Sequence, residues 1–247
     1  MRIINFHDHF EDNIIERNRS IGFNVSVLLP VGEESEANSI KIAEKKSELF
    51  ISFAWIRLSE DIPKQAKRLR KMVNMGSVKG VKFQPLVQHF YPEEKRLFPI
   101  YETCQELEIP ILFHCGTVSF SWELGIPHIA RYGCSIFGVD EIAFKFPNLP
   151  IVVAHLGGNY HNETIIVASK HSNIYLDTAY LPFFCSRLLP HVEPIELIRR
   201  AVEIIGPGRV LYGWEGTDPK LVLESDFSEG IKQQIMETNA LKLLQIL

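Results

Sequence analysis

The chain has 247 residues, a length that suits one large domain or two small ones with a substantial buried core. Hydrophobic residues make up 46% of it and charged residues 23%, as in ordinary globular proteins. The net charge of −4 argues against binding to nucleic acid or to an anionic membrane surface. The four cysteines form no Cys-x-x-Cys pair, and no apolar run reaches the ~20 residues of a membrane span, so we expect a cytoplasmic protein.

Apolar, β-branched runs alternate with amphipathic, charged segments along the whole chain. The runs predict a strand at residues 3–6 and further strands over residues 22–29, 50–58, 78–83, 110–114, 150–154, 173–176 and 209–212. The segments between them predict helices over residues 35–49, 61–75, 93–107, 139–146, 163–170, 194–205 and 228–246. Eight strands joined by right-handed helical crossovers indicate an α/β protein, a single-domain (β/α)8 TIM barrel over residues 1–247.

The first strand ends in two histidines, His7 and His9, separated by one residue. Side chains two apart on a strand point to the same face, so these two imidazoles can converge on one point. Neutral imidazole is a common metal ligand, although two strand-end histidines with local hydrogen-bond partners would give the same pattern. The pair alone therefore leaves a metal site and a structural role open.

Catalytic side chains of a barrel come from the C-terminal ends of its strands. The other predicted strand ends carry Arg57, Lys82, Gln84, His114, His155, Asp177 and Glu215. Any one of these has an ordinary explanation, since polar residues often follow apolar runs and a lone histidine is often a hydrogen-bonded core residue. Four of the nine histidines at three strand ends, however, favour a metal site at the mouth of the barrel.

Six motifs lie in order at or near successive strand ends and in the last helix. They are Phe-His-Asp-His at residues 6–9, Gly-Val-Lys-Phe-Gln-Pro at 80–85, Pro-Ile-Leu-Phe-His-Cys-Gly at 110–116, His-Leu-Gly-Gly at 155–158, Asn-Ile-Tyr-Leu-Asp-Thr at 173–178 and Thr-Asn-Ala-Leu-Lys-Leu-Leu at 238–244. As a set they resemble the amidohydrolase superfamily, in particular its amidohydrolase-2-type branch of metal-dependent hydrolases and decarboxylases.

The resemblance implies that His7, His9 and His114 bind one divalent cation, zinc first, with manganese or iron as alternatives. His155 would lie beside the metal as a catalytic acid/base or substrate-polarising group. Three neutral imidazoles leave a coordination position open, and a bound cation lowers the pKa of water toward neutrality. A carboxylate beside that water can take its proton. The resemblance also implies a homodimer.

The segment after the eighth strand departs from the family pattern. The family implies Gly-Ser-Asp-x-Pro there, with an Asp that is both metal ligand and base, whereas residues 212–219 read Tyr-Gly-Trp-Glu-Gly-Thr-Asp-Pro. Alignment on the strand puts Glu215 in the Asp position, and alignment on the turn puts Asp218 there. We prefer Glu215 because a strand end fixes direction better than a loop does. In a third interpretation neither carboxylate binds metal and the site is impaired.

Arg57 and Lys82 are candidates to bind a substrate carboxylate, and each is equally suited to an ion pair within the barrel wall. A carboxylated Lys82 that bridges two metals is disfavoured, because the branch resembled here uses one metal. Trp122, in an aromatic loop over residues 116–133, and Tyr160, just after the Gly-Gly pair, are candidates to line the substrate pocket.

The sequence thus favours a metal-dependent hydrolase that cleaves an ester, lactone or amide-type bond in a small, carboxylate-bearing molecule. A decarboxylase on the same scaffold is the first alternative, because the implied ligand set is shared. A barrel that has lost its complete metal site and no longer catalyses is the second. We expect a small-molecule substrate and no nucleic-acid or membrane partner.

Overall fold

The computed structural model describes residues 1–117, 129–133 and 136–246. In these residues the strands are β1 Ile4–Asp8, β2 Val25–Leu28, β3 Phe50–Ser52, β4 Ala54–Trp55, β5 Val81–Phe83, β6 Ile111–Phe113, β7 Ile151–Val153, β8 Ile174–Asp177 and β9 Val210–Leu211. All paired neighbours are parallel and follow chain order, in one sheet of β1 to β3 and another of β4 to β9. Parallel strands in this order are those of the expected (β/α)8 barrel.

Helices connect the strands. They are α1 Ile14–Ile21, α2 Glu33–Lys45, α3 Ile62–Asn74, α4 Pro85–Gln88, α5 Phe98–Glu106, α6 Ile136–Lys145, α7 His161–Lys170, α8 Leu181–Cys185, α9 Pro194–Ile205, α10 Lys220–Leu223, α11 Glu229–Gln233 and α12 Asn239–Leu244. The sequence pattern predicted no helix at α1, α4, α8 or α10, of which α1, with eight residues, is the longest. Among the described residues, no helix is both long and apolar enough to cross a membrane.

The predicted third strand, residues 50–58, is divided at Phe53 into β3 and β4. The Phe53 N–H donates to Leu28 O on β2 (3.0 Å), whereas the next N–H, of Ala54, donates to Gly80 O before β5 (2.8 Å). The chain therefore changes its hydrogen-bond partner from one sheet to the other at this residue. The Phe53 ring lies against Gly80, where a Cβ atom would come within 2.5 Å of it. β3 and β4 together occupy one of eight strand positions.

The last strand meets the first through Tyr212, the residue after β9. Phe6 N–H donates to Tyr212 O (2.8 Å), and Tyr212 N–H donates to Ile235 O (3.0 Å). Ile235 lies in a π-helical turn, Gln234–Thr238, which interrupts the helix predicted over residues 228–246. Such a turn breaks regular helical hydrogen bonding, so a carbonyl of the last helix becomes available to the strand. In the described residues, the hydrogen bond from Phe6 N–H to Tyr212 O connects the first and last strands, and β1 and β9 are not paired as a ladder.

Two apolar layers separate the inside of the barrel from its helical coat. The inner layer consists of side chains from alternate strand positions and from the last helix, including Ile4, Phe6, Val27, Phe53, Leu112, Val152, Leu211, Leu241 and Leu244. The outer layer fills the space between the strands and the surrounding helices. Because α12 contributes to the inner layer, the last helix covers one end of the barrel, and the polar strand ends lie at the other.

Candidate metal centre

A β-bulge near the end of β1 sets the direction of its histidines. Asn5 pairs with Ser26 but Asp8 pairs with Leu28, so β1 has one extra residue between these two pairs. The Asn5 side-chain oxygen accepts a hydrogen bond from the backbone N–H of His7 (3.1 Å), inside the bulge. A bulge re-aims the side chains that follow it. Although Ile4 and Phe6 point into the core, the next inward-facing side chain is therefore His7.

His7 and His9 converge on the carboxylate of Glu215. Nε2 of His7 lies 3.4 Å from Oε2 of Glu215, and Nε2 of His9 lies 2.9 Å from Oε1. Asp8, between the two histidines, faces away and pairs with Arg17 of α1. The two imidazoles thus share one face, as their spacing predicts.

The outer nitrogens of these two rings are bound to oxygen atoms that can only accept hydrogen bonds. Nδ1 of His7 donates to Oδ2 of Asp177 (2.8 Å), and Nδ1 of His9 donates to the carbonyl of Leu29 (2.6 Å). These acceptors assign the ring proton to Nδ1, so the neutral ring has a bare lone pair on Nε2. The Nε2 atoms of both rings face Glu215.

His114 and His155 form a second pair of the same kind. Nε2 of His114 lies 3.1 Å from Gly116 O, and Nδ1 of His155 lies 2.9 Å from Ala179 O. Their inner nitrogens, Nδ1 of His114 and Nε2 of His155, are 3.0 Å apart. Burial lowers the pKa of His155 to about 4 and that of His114 well below its usual range, so both rings are neutral near pH 7. The inner nitrogens of the two rings therefore face each other.

Glu215 is the negatively charged member of this cluster of side chains. Burial alone would raise the pKa of this carboxyl, but His7 and His9 bring it well below its usual range, so the group is a carboxylate. Its Oε2 is buried and has no hydrogen-bond donor among the described residues. Glu215 has the opposite effect on His9. Burial lowers the pKa of His9 and Glu215 raises it, and the net result is a raised pKa.

The Nε2 atoms of His7 and His9 and the carboxylate of Glu215 surround one point, where a cation would be bound by two imidazole nitrogens and one negative charge. Potential ligand atoms of His7, His155 and Glu215 lie within 4.8 Å of one another, and His9 and His114 contact this group directly. Metal-bound histidines typically donate their outer N–H to a carboxylate or carbonyl, as His7 does to Asp177 and His9 to Leu29. The residues present therefore fit a divalent metal ion.

Asp218, the other candidate carboxylate, lies apart from this cluster. It is exposed, and its Oδ1 accepts a hydrogen bond from the backbone N–H of Lys220 (2.8 Å) at the start of α10. Glu215 has a backbone φ of +34°, an unusual conformation for a residue other than glycine, and its side chain is a quarter exposed. The structure thus brings Glu215, and not Asp218, to the histidines.

Lys82 lies beside the same cluster. It is buried on β5, in register with Leu112 and so on the inner side of the barrel. Burial lowers its pKa to about 8, although Glu215 and Asp177 act to raise it. In the described part of the chain, no acidic side chain forms an ion pair with its ammonium group.

Arg57, one of the two candidates to bind a substrate carboxylate, has ion-pair partners within the protein. Its Nε lies 3.0 Å from Oε2 of Glu33, and its Nη1 lies 3.5 Å from Oε1 of Glu60. Among the described contacts, none joins Arg57 to the four histidines. The structure thus gives this guanidinium carboxylate partners of its own.

Tyr160 and Trp122 are the two residues predicted to line the substrate pocket. The Tyr160 hydroxyl lies 3.3 Å from Oγ1 of Thr117, and within the described ranges no hydrogen bond joins it to the histidine cluster. Trp122 lies outside the described residues, so its role stays a prediction. The structure adds an aromatic wall that the sequence did not indicate: the Phe184 ring lies 5.4 Å from that of His155, and Tyr180 stacks on Phe183 at 4.5 Å.

Sequence reasoning also gave Asp177 no role, although it ends a predicted strand. Besides binding His7, this carboxylate accepts hydrogen bonds through Oδ1 from the backbone N–H groups of His155 (2.9 Å) and Ala179 (3.0 Å). His155 and Leu156 have φ values of +60° and +49°, and the following Gly-Gly pair also has positive φ. That Gly-Gly pair was the sequence signal of a left-handed turn.

A family model described as Amidohydrolase matches residues 15–246, and the chain belongs to this family. The match begins after His9, so the two β1 histidines stand on the geometry alone. Comparison with curated proteins finds no match.

Solved structures agree on the fold. An uncharacterised TIM-barrel protein of Bordetella bronchiseptica is 17% identical, covers 99% of each chain and has a TM-score of 0.79. The 2,6-dihydroxybenzoate decarboxylase of Rhizobium is 13% identical, with 100% of this chain and 99% of that chain covered and a TM-score of 0.74. The 5-carboxyvanillate decarboxylase of Novosphingobium aromaticivorans, complexed with manganese, is 16% identical, with 96% and 80% covered and a TM-score of 0.71. At these identities the likeness establishes the TIM-barrel fold.

Proposed function

We propose that this protein is a metal-dependent decarboxylase that removes a carboxylate from a small organic acid as CO2. The observation that carries the proposal is the convergence of the His7 and His9 imidazoles on the carboxylate of Glu215, with His155 and the buried Lys82 close by. Membership of the amidohydrolase family supports a metal-dependent enzyme. Similarity to solved structures of decarboxylases supports this reaction over the hydrolysis that the sequence favoured.

The proposed metal ligands are His7, His9, His114 and Glu215. Three imidazoles and one carboxylate suit zinc and also manganese or iron, and the manganese in a similar decarboxylase structure supports the second choice. When bound, the cation would supply a fixed positive charge that stabilises negative charge on a substrate oxygen or lowers the pKa of water.

Lys82 is proposed to bind the substrate carboxylate. Its side chain is buried, where an unpaired charge is costly and a carboxylate partner offsets that cost. Arg57 is the weaker candidate, because Glu33 and Glu60 already neutralise it.

His155 is proposed to transfer the proton that replaces the departing CO2. When the bond between carbon and the carboxylate breaks, CO2 leaves and the electron pair stays on carbon, which must then take up a proton. With a pKa near 4, His155 is neutral at pH 7 and can accept a proton from an acidic substrate group and pass it to that carbon. Its ring is oriented by the Ala179 carbonyl.

Hydrolysis of an ester, lactone or amide is the second candidate. The observation in its favour is Oε2 of Glu215, a buried carboxylate oxygen without a hydrogen-bond donor in the described residues, which could take a proton from an attacking water. A barrel without catalysis is the third, and it predicts that no metal binds. Cytoplasmic location and a homodimer remain predictions.

The test uses protein reconstituted with manganese or zinc and a panel of hydroxylated aromatic acids, together with esters and lactones of similar size. We expect metal-dependent CO2 release, measured by a coupled bicarbonate assay, that is lost in Lys82→Met and retained in Arg57→Met. Ester or lactone cleavage without CO2 release would support the hydrolase instead. If metal-loaded protein forms neither CO2 nor a cleavage product, both proposals are contradicted.

A further inference from the structure

Asp177 contacts two parts of the site that belong to different strands. Its Oδ2 accepts the Nδ1–H of His7 on β1, at 2.8 Å. Its Oδ1 accepts the backbone N–H of His155, just after β7, at 2.9 Å. The carboxylate is fully buried, and both of its oxygens are used by hydrogen bonds from the protein. Neither role follows from a polar residue at a strand end.

The first contact determines which nitrogen of His7 can bind a metal. A carboxylate only accepts hydrogen bonds, so it holds the imidazole proton on Nδ1 and leaves the lone pair on Nε2. Nε2 is the atom that faces Glu215, at 3.4 Å. If the proton were on Nε2, the ring would direct an N–H group, and not a lone pair, toward the other proposed metal ligands.

The second contact holds a backbone that would otherwise be unfavourable. His155 and Leu156 both have left-handed φ values, +60° and +49°, which cost non-glycine residues free energy. Oδ1 of Asp177 binds the N–H of His155 at the entry to this turn, and it also binds the N–H of Ala179 (3.0 Å). The carbonyl of Ala179 in turn accepts the Nδ1–H of His155 (2.9 Å), so backbone and ring are fixed together.

We propose that Asp177 is a positioning residue that keeps His7 in its metal-binding tautomer and, through its other oxygen, holds the left-handed turn that carries His155. One carboxylate thereby couples the metal-binding end of β1 to the group proposed to transfer the proton. The inference rests on the proposed metal site, and its two contacts can be separated experimentally.

The variant Asp177→Asn changes the contact with His7 and keeps the contact with the turn. The amide oxygen of Asn can still accept from the N–H groups of His155 and Ala179, but its NH2 group faces His7 and requires a bare Nδ1 there. The turn should therefore persist while the tautomer of His7 reverses. We expect a thermal midpoint of the metal-free variant close to that of the parent and a metal affinity 10- to 100-fold weaker, measured by calorimetric titration with manganese or zinc. Asp177→Leu, which removes both contacts, should lose affinity and also unfold at a lower temperature.

The tautomer itself is measured without metal, from the 15N shifts of the His7 ring in metal-free protein. The parent should show the proton on Nδ1, and Asp177→Asn should show it on Nε2. Asp140→Asn is the matched control, because Asp140 accepts from the ring of His171 (2.6 Å) outside this cluster and should leave metal affinity unchanged.

The outcomes distinguish failure of this inference from failure of the proposed function. A parent that binds no metal contradicts the metal site, while the ring shifts still decide the role of Asp177. A parent that binds metal and an Asp177→Asn variant that binds it equally well, with the proton still on Nδ1, would overturn the inference. Equal loss in the Asp140→Asn control would show a nonspecific effect and also overturn it.

Discussion

At the scale of single residues, the site is determined by where each imidazole proton lies. Outer acceptors hold the Nδ1 protons of His7 and His9 away from Glu215, so each ring turns Nε2 toward that carboxylate. A sequence can indicate that histidines occur at strand ends, but it does not show the backbone carbonyls of Leu29 and Ala179 that select their tautomers. The types of ligand were therefore predictable, and their protonation pattern was not.

The choice between the two carboxylates gives a direct test. We expect Glu215→Gln to weaken metal binding at least 10-fold, because an amide replaces the one anionic donor facing His7 and His9. Asp218→Asn should bind metal like the parent, because Asp218 is exposed and hydrogen-bonded to Lys220. Calorimetric titration measures both. Loss confined to the Asp218 variant would reverse the assignment.

Lys82 should make stability depend on pH in a known direction. Burial lowers its pKa from 10.5 to about 8, so the folded protein binds this proton less tightly than the unfolded chain does. The resulting destabilisation is full below pH 8, decreases as the pH rises and is absent above about pH 10.5. This decrease in the pKa of Lys82 corresponds to a loss of folding stability on the order of 3 kcal/mol.

The matching experiment compares metal-free Lys82→Met with the parent by urea unfolding. We expect the variant to have the higher free energy of unfolding at pH 7 and the difference to shrink toward pH 10. A difference that stays constant over this range would show that the buried amine is not the cause.

At the scale of elements, two local distortions orient the site. The bulge that contains the His7 N–H bond to Asn5 re-aims the β1 histidines, and the turn after β7 re-aims His155. Alternation of apolar residues predicts strands and approximate ends, because burial imposes a period of two. A bulge or a left-handed turn depends on contacts with distant residues, so the periodic pattern predicted the strands and missed both distortions.

The turn after β7 can be tested through its glycine. Gly157 has a φ of +87°, and an added Cβ would lie 2.0 Å from Oγ1 of Thr164. Gly22, at the end of α1, has a φ of +97° and nothing within 4 Å. Alanine at Gly22 should therefore cost about 1–2 kcal/mol from backbone conformation alone, and alanine at Gly157 about 1–3 kcal/mol more from overpacking. Equal losses in chemical denaturation would contradict this account of the turn.

At the scale of the whole molecule, the barrel brings together donors that are far apart in the chain. His7 and Glu215 are separated by more than 200 residues, yet their side chains touch because β1 and β9 are neighbours around the barrel. Counting alternating strands and helices was enough to predict this arrangement. It was not enough to predict how the first and last strands meet, which depends on a π-helical turn in the final helix.

Metal binding should stabilise the whole fold, because the ligands converge only in the folded chain. At a free metal concentration 100 times the Kd, linkage gives about 2.7 kcal/mol, which raises the thermal midpoint by several degrees. His9→Ala removes one inward donor and should lose most of this rise while it keeps the metal-free midpoint near that of the parent. A midpoint of the parent that does not change with manganese or zinc would argue against a folded-state metal site.

The most direct test of the metal centre is diffraction from crystals of metal-loaded protein, with anomalous scattering recorded at the edge of the bound metal. We expect one strong peak per chain, at about 2.0–2.2 Å from Nε2 of His7, Nε2 of His9, Nδ1 of His114 and a carboxylate oxygen of Glu215. No peak among these atoms, or a peak bound instead at Asp218, would contradict this expectation.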